Sequence, residues 1–144
     1  MNRLKFRIVS PERILFSGEV QMVVIPGISG EIGVLVNHAP LATSLKSGLV
    51  KIYGDTGLEK QIFVNEGFAL ISQSMLEVIA EEAIFVEELD ASKVDAYIEN
   101  IRQEMDLAKS EEDKQRLKND LSLAVMKRNI LRTLHRKTSQ NDQQ

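Results

Sequence analysis

The stretch Met75-Leu76-Glu77-Val78-Ile79-Ala80-Glu81-Glu82-Ala83-Ile84-Phe85-Val86-Glu87-Glu88-Leu89-Asp90-Ala91-Ser92-Lys93-Val94-Asp95-Ala96-Tyr97-Ile98 changes its hydrophobic period near its middle. Residues 75–80 and 83–86 are short apolar runs that read as strands. From Leu89 onward, Val94, Tyr97, Ile98, Ile101, Met105 and Ala108 follow the i, i+3, i+4 spacing of one helical face. Asp90 stands where an N-cap belongs, because its carboxylate can accept a backbone N–H of the first turn. The chain is therefore read as two parts that meet at residues 88–89.

Outward toward the C-terminus, Lys109-Ser110-Glu111-Glu112-Asp113 breaks the first helix. Ser110 can cap a second helix whose first turn is acidic, as the helix dipole favours. That helix carries Leu117, Leu121, Ala124, Leu131 and Leu134 on one stripe, with Leu123, Met126 and Ile130 beside it. So short a link predicts an antiparallel hairpin over 89–137. Its apolar stripe is broad for a helix with one companion, which points to more than one docking surface. The wholly polar residues 138–144 are expected to be a disordered tail.

Toward the N-terminus the pattern is all strand. Leu4, Phe6 and Ile8 alternate with Lys5 and Arg7. Further runs at 14–16, 19–25, 32–35, 42–46, 49–53, 60–64 and 67–72 lie between turn signals such as Ser10-Pro11 and Ser17-Gly18. Gly54-Asp55-Thr56-Gly57 reads as a hairpin loop, since its glycines tolerate positive φ. With the two runs after residue 74, these make about ten short strands, a β-sandwich over 1–88.

Composition narrows the function classes. The chain has 144 residues, 43% of them hydrophobic, enough for a packed core. Aromatics make up 5% and Trp is absent, so the aromatic-plus-basic interleaving of single-strand nucleic-acid binders is missing. No cysteine is present, which removes disulfides, thiolate metal sites and cysteine nucleophiles. Arg3, Lys5 and Arg7 interrupt any signal-peptide core, and no apolar run is long enough to span a bilayer. Charge is uneven: seven basic against eleven acidic residues up to Leu89, then eleven against ten. Residues 127–137 hold five Lys or Arg, one His and no acid.

No catalytic constellation emerges. His38 and His135 are the only histidines, too few for a metal cluster. The segment Pro26-Gly27-Ile28-Ser29-Gly30-Glu31-Ile32-Gly33 has neither the glycine spacing of a dinucleotide fingerprint nor the lysine of a phosphate loop, and reads as tight turns. Glu81-Glu82 and Glu87-Glu88 read as solvated strand ends. His38, in the turn-like Asn37-His38-Ala39-Pro40, reads on the residues alone as a locally hydrogen-bonded ring. Arg128, Arg132 and Arg136 recur every four residues and line one ridge, with Lys127 beside it. Charge alone leaves open whether that ridge meets an acidic partner, phosphates or only solvent.

Taken in order, several segments resemble the epsilon subunits of bacterial-type rotary (F-type) ATP synthases. Ile25-Pro26-Gly27-Ile28-Ser29-Gly30-Glu31-Ile32-Gly33-Val34-Leu35 is similar to the family's Val-Pro-Gly, Glu-Gly, Phe-Gly-Val-Leu stretch. His38-Ala39-Pro40-Leu41, Leu45-Lys46-Ser47-Gly48-Leu49-Val50, Phe63-Val64-Asn65-Glu66-Gly67-Phe68 and Met75-Leu76-Glu77-Val78-Ile79-Ala80 follow in the family's order. Val36-Asn37 departs from the usual Pro-Gly, and Ser29 replaces an acid. Beyond about Asp90 the match is only in helical pattern and basic second helix.

The resemblance implies a non-catalytic central-stalk subunit of the proton-translocating synthase. Its partners would be the gamma subunit, the c-ring and the alpha/beta catalytic head. Its place would be peripheral, on the cytoplasmic face of the bacterial plasma (inner) membrane, and the missing transit peptide agrees. Glu31 and His38 become candidates for the c-ring contact. Lys127, Arg128, Arg132 and Arg136 become candidates for the beta-subunit contact of a hairpin that inhibits ATP hydrolysis. No cofactor is required, although some members bind ATP as a regulatory ligand through Ile/Leu-Asp-x-x-Arg-Ala. Here that motif reads Leu89-Asp90-Ala91-Ser92-Lys93-Val94. Asp90 and Lys93 would serve, but Lys93 lacks the guanidinium fork and Val94 crowds a position where Ala allows close approach. Asp90 acting only as a cap is the simpler account. The alternative is a free-standing β-sandwich module whose basic helix binds nucleic acid, with affinity falling steeply in salt.

Overall fold

The computed structural model describes residues 3–142, with side chains described up to Leu134. It divides into two compact units, Met1–Glu88 and Leu89–Gln144.

The first unit is an eight-stranded sheet folded into two layers: β1 (Leu4–Val9), β2 (Ile14–Val20), β3 (Met22–Gly27), β4 (Gly30–Val34), β5 (Leu41–Leu45), β6 (Gly48–Gly54), β7 (Gly57–Ile71) and β8 (Met75–Phe85). Strand order is β2-β1-β8-β7-β5-β3-β4, with β6 pairing β3 and β7. The long strands serve both layers. Residues 57–64 of β7 pair with β6, and residues 67–71 pair with β5. β8 lies antiparallel to β7 along most of its length and parallel to β1 through residues 75–79.

Eight strands stand where the turn signals predict ten, because two pairs of predicted runs are fused. The 60–64 and 67–72 runs form β7, and the 75–80 and 83–86 runs form β8. Glu66, with φ 50°, bends β7 without ending it, since Asn65 and Gly67 on either side stay paired to Glu82 and Ala80. A turn signal inside a strand with paired flanks becomes a bend. Likewise Ser17-Gly18 does not end a strand. Both residues stay in the ladder opposite Arg7 and Phe6, and the chain changes partner at Gln21, whose N–H donates to the Tyr53 carbonyl.

The glycines act where the backbone demands them. Gly27 pairs with Gly30 across the Ile28–Ser29 turn, and Gly30 has φ 136°. A Cβ at Gly27 would stand 2.7 Å from the Gly30 carbonyl oxygen. The segment is a tight hairpin. Asp55 and Thr56 form the two-residue loop between β6 and β7, as the glycine spacing predicts.

Period-two alternation sends Leu4, Phe6 and Ile8 into a core shared with Val23, Ile25, Val50, Ile52, Ile62, Val64, Leu76 and Val78. Phe6 is 1% exposed, and its ring centroid lies 5.7 Å from that of Phe16. Every residue of this cluster precedes residue 86. Among the described residues, no polar or charged residue is buried.

The second unit is a pair of helices, α1 (Ala91–Leu107) and α2 (Glu111–Asp142). Its own cluster joins Ile98 and Ile101 to Leu117 and Ala124, with Val94, Met105, Ala108, Leu121 and Val125 packed around them. Tyr97, expected on the inner face, is exposed, so the α1 stripe is narrower than the spacing predicts. α2 continues to Asp142, five residues past the expected limit of 137. The 138–142 stretch contains no Pro or Gly to stop a helix already propagating, and polar composition alone does not end one.

Candidate functional site

Among the described residues, no cluster of three metal-ligating side chains occurs, and no helix is long and apolar enough to cross a membrane. The candidate residues lie on the β4 edge and on the helical hairpin, and the described residues present a further exposed face on β7 and β8.

The first is the free edge formed by β4. Glu31 is its second residue, exposed, and opposite Pro26. His38 lies past the other end of β4, in a loop shaped by Asn37 at φ 69°, whose N–H donates to the Gln73 carbonyl at 2.6 Å. A five-residue strand advancing about 3.3 Å per residue separates the two ends. The structure thus does not bring Glu31 and His38 onto one turn. They mark the two ends of one edge, with the exposed Ile28 and Leu35 along it. His38 Nδ1 lies 2.7 Å from its neighbour's carbonyl, Ala39 O, the local hydrogen bond expected from the turn.

The second surface is the outer face of β7 and β8. Cross-strand register pairs Phe68 with Ile79 and Leu70 with Glu77, and all three apolar side chains are exposed. At its end Glu66 and Glu81 share a side-chain hydrogen bond, which, with their like charge, raises the Glu66 carboxyl above its ordinary value. A raised carboxyl stabilises the fold below the ordinary glutamate pKa, and that contribution is lost as pH rises through the raised value. The pair lies fifteen positions apart in sequence, so only the β7–β8 register could have found it.

The third surface is the helical hairpin. Asp90 Oδ1 accepts from Ser92 N at 2.9 Å and from Lys93 N at 3.3 Å. Its carboxylate is thus engaged in capping α1, and Lys93 is exposed beside it. Asp90→Ala is expected to destabilise the hairpin by about 1 kcal/mol and Asp90→Asn by only a few tenths, since Asn caps nearly as well. Thermal loss of helicity measures both. Ser110 caps α2 through its Oγ, which accepts from Asp113 N at 3.1 Å. α1 spans about 26 Å and α2 about 48 Å, so α1 is too short to run along the whole of α2. The basic ridge falls in the second half. Lys127 and Arg128 are half-buried and Arg132 is exposed. Arg128 Nε is buried with no hydrogen-bond partner. Arg136 lies on the same helix, but its side chain is outside the described residues.

The described residues thus form two separately cored units that carry three unlike surfaces. A family model described as the β-sandwich domain of the ATP synthase delta/epsilon chain matches residues 3–86. The ATP synthase epsilon chain of Maricaulis maris is 40% identical over 113 residues, covering 78% of this chain and 84% of its own length. That of Rhodospirillum centenum is 34% identical over 135 residues, 90% and 92% of the two chains. A chain in the cryo-EM structure of the Euglena gracilis mitochondrial ATP synthase OSCP/F1/c-ring shares the fold with a TM-score of 0.77. It is 20% identical, with 91% of this chain and 82% of that one covered.

The chain belongs to the ATP synthase delta/epsilon family, with epsilon chains as its relatives. It is an accessory subunit, and the synthase's catalysis belongs to other subunits. The relatives give no support to a nucleic-acid module.

Proposed function

We propose that the sandwich is the docking unit of this subunit and the helical hairpin is a brake on ATP hydrolysis. The observation that carries this reading is the division at Glu88, with one hydrophobic cluster on each side and no core residue in common. Such a chain can keep one unit docked while the other changes partners, the two states differing by a few kcal/mol.

The gamma subunit covers the exposed Phe68, Leu70 and Ile79. The β4 edge, from Ile28 and Glu31 to Leu35 and His38, lies along the c-ring. In this arrangement the subunit sits peripherally on the cytoplasmic face of the bacterial plasma membrane. When the hairpin reaches the catalytic head, Lys127, Arg128, Arg132 and Arg136 face acidic segments of the beta subunits. Arg128 Nε supports that second state. A buried donor without a partner costs roughly 1–3 kcal/mol, and a carboxylate would satisfy it.

Regulation by ATP is a narrower proposal. Lys93 beside Asp90 offers a cation for phosphate, but Asp90's carboxylate already serves the helix. Equilibrium dialysis with labelled ATP decides it: retention by the intact chain, lost in Lys93→Ala, supports nucleotide control, and no retention ends it.

The main reading is tested by adding the chain to an epsilon-depleted catalytic head with gamma present. It should co-sediment and suppress hydrolysis, and suppression should weaken between about 50 and 500 mM salt as the ion pairs are screened. Failure to co-sediment would contradict the docking assignment.

A further inference from the structure

The ladder between β7 and β8 has its last rung at Ile62 and Phe85. Beyond it, the 3-10 turn Val86–Glu88 is the final piece of the first unit, and Leu89 and Asp90 lead directly into α1. Two things hold this turn against the sandwich. Val86 is buried, at 4% exposure. Glu88 is gripped by Arg13, which comes from the connection between β1 and β2, 75 residues away. The grip is two-pronged, with Nη1 donating to Oε1 at 3.3 Å and Nη2 to Oε2 at 2.9 Å. The same guanidinium lies 5.8 Å from the centroid of the Phe85 ring, and Lys60 Nζ approaches that ring at 5.0 Å. Aromatic ring and carboxylate thus fix one arginine from two directions.

We infer that Arg13 is a latch that pins the Val86–Glu88 turn to the sandwich and so sets the pivot between the two units at Leu89–Asp90. With the latch closed, the free tether is two residues, with a reach of about 7 Å; with the turn released it is five, with a reach of about 17 Å. The consequence for the hairpin rests on the reading that the hairpin changes partners; the latch itself does not.

An exposed ion pair alone contributes little. The planar fork is what lets one side chain meet both carboxylate oxygens while lying over Phe85, so lysine should not replace it. The hydrogen bond to Glu88 raises the guanidinium pKa above its ordinary value against a desolvation penalty, and the charges of Glu88 and Glu12 add lesser contributions in the same direction as the bond. Arg13 thus stays charged across the working pH range.

Hydrogen exchange of the complete chain tests the latch. Arg13→Ala and Glu88→Gln should each speed exchange of the 86–89 amides about tenfold, with β7 amides unchanged. Arg13→Lys should behave like Arg13→Ala. About 0.5 M salt should move the wild type in the same direction. Unchanged exchange at 86–89 would overturn the latch, as would an equal rise in β7, which would mean general loosening of the sandwich. Release of the turn with unaltered suppression of hydrolysis would uphold the latch and count against the brake.

Discussion

Phe6→Ala should lower the melting temperature of the sandwich by about 12–40 °C, the largest stability effect expected of a single substitution here. The phenyl ring is 1% exposed at the centre of the first unit's cluster and packs against Phe16. Truncating a buried Phe costs about 3–5 kcal/mol, the lost transfer energy plus the cavity left behind. For a domain of this size each kcal/mol moves the midpoint by about 4–8 °C. Ile79→Ala is the matched contrast. Its side chain is 45% exposed on the outer face and should cost under about 1 kcal/mol. Thermal scans of both variants check the assignment of inner and outer faces. Similar midpoints for the two would mean the faces are wrongly assigned.

Reversing two charges on α2 should have the largest functional effect. With Arg128→Glu and Arg132→Glu together, suppression of hydrolysis should weaken at least tenfold while binding to the stalk is retained. Binding survives because neither residue belongs to the sandwich. Suppression fails because each reversal turns an attraction to a partner carboxylate into a repulsion, and like charges juxtaposed at an interface are strongly unfavourable. Arg102→Glu, an exposed reversal on α1, changes net charge as much as either ridge reversal made singly and should leave suppression near wild type. If all three reversals act alike, net charge rather than the ridge is responsible.

Much of the fold was legible in local pattern. Leu4, Phe6 and Ile8 alternate because one face of β1 is buried, and the same chemistry places Ile98 and Ile101 on the inner face of α1. Asp90 and Ser110 were legible as caps because a cap is satisfied within three residues of itself. Strand count was not, because strand ends are set by partners. Ser17-Gly18 carries a turn signal yet both residues stay in the ladder, and Glu66 lies in a gap between predicted runs whose flanks, Asn65 and Gly67, stay paired. The parallel pairing of β1 with β8 lay beyond any local rule. Tyr97 fits the helical spacing but sits at the margin of the α1 stripe, where spacing cannot separate inside from outside.

The surfaces divide in the same way. The Arg128–Arg132 ridge was visible from its four-residue repeat. The separation of Glu31 from His38 was not, because seven residues can form one loop or, as here, run along β4 and past its far end. Glu66–Glu81 and Arg13–Glu88 are invisible in sequence, since the register of long strands and the connection after β1 bring them together.

The central claim, that one unit docks and the other restrains, is tested most directly by truncation. An epsilon-depleted catalytic head with gamma is given either the complete chain or a chain ending at Glu88, and ATP hydrolysis and co-sedimentation are read in the same tubes. The shorter chain keeps every residue of the sandwich cluster, so it should fold and bind as the complete chain does. Only the complete chain should slow hydrolysis. Equal suppression by the two would contradict the assignment of the brake to the hairpin.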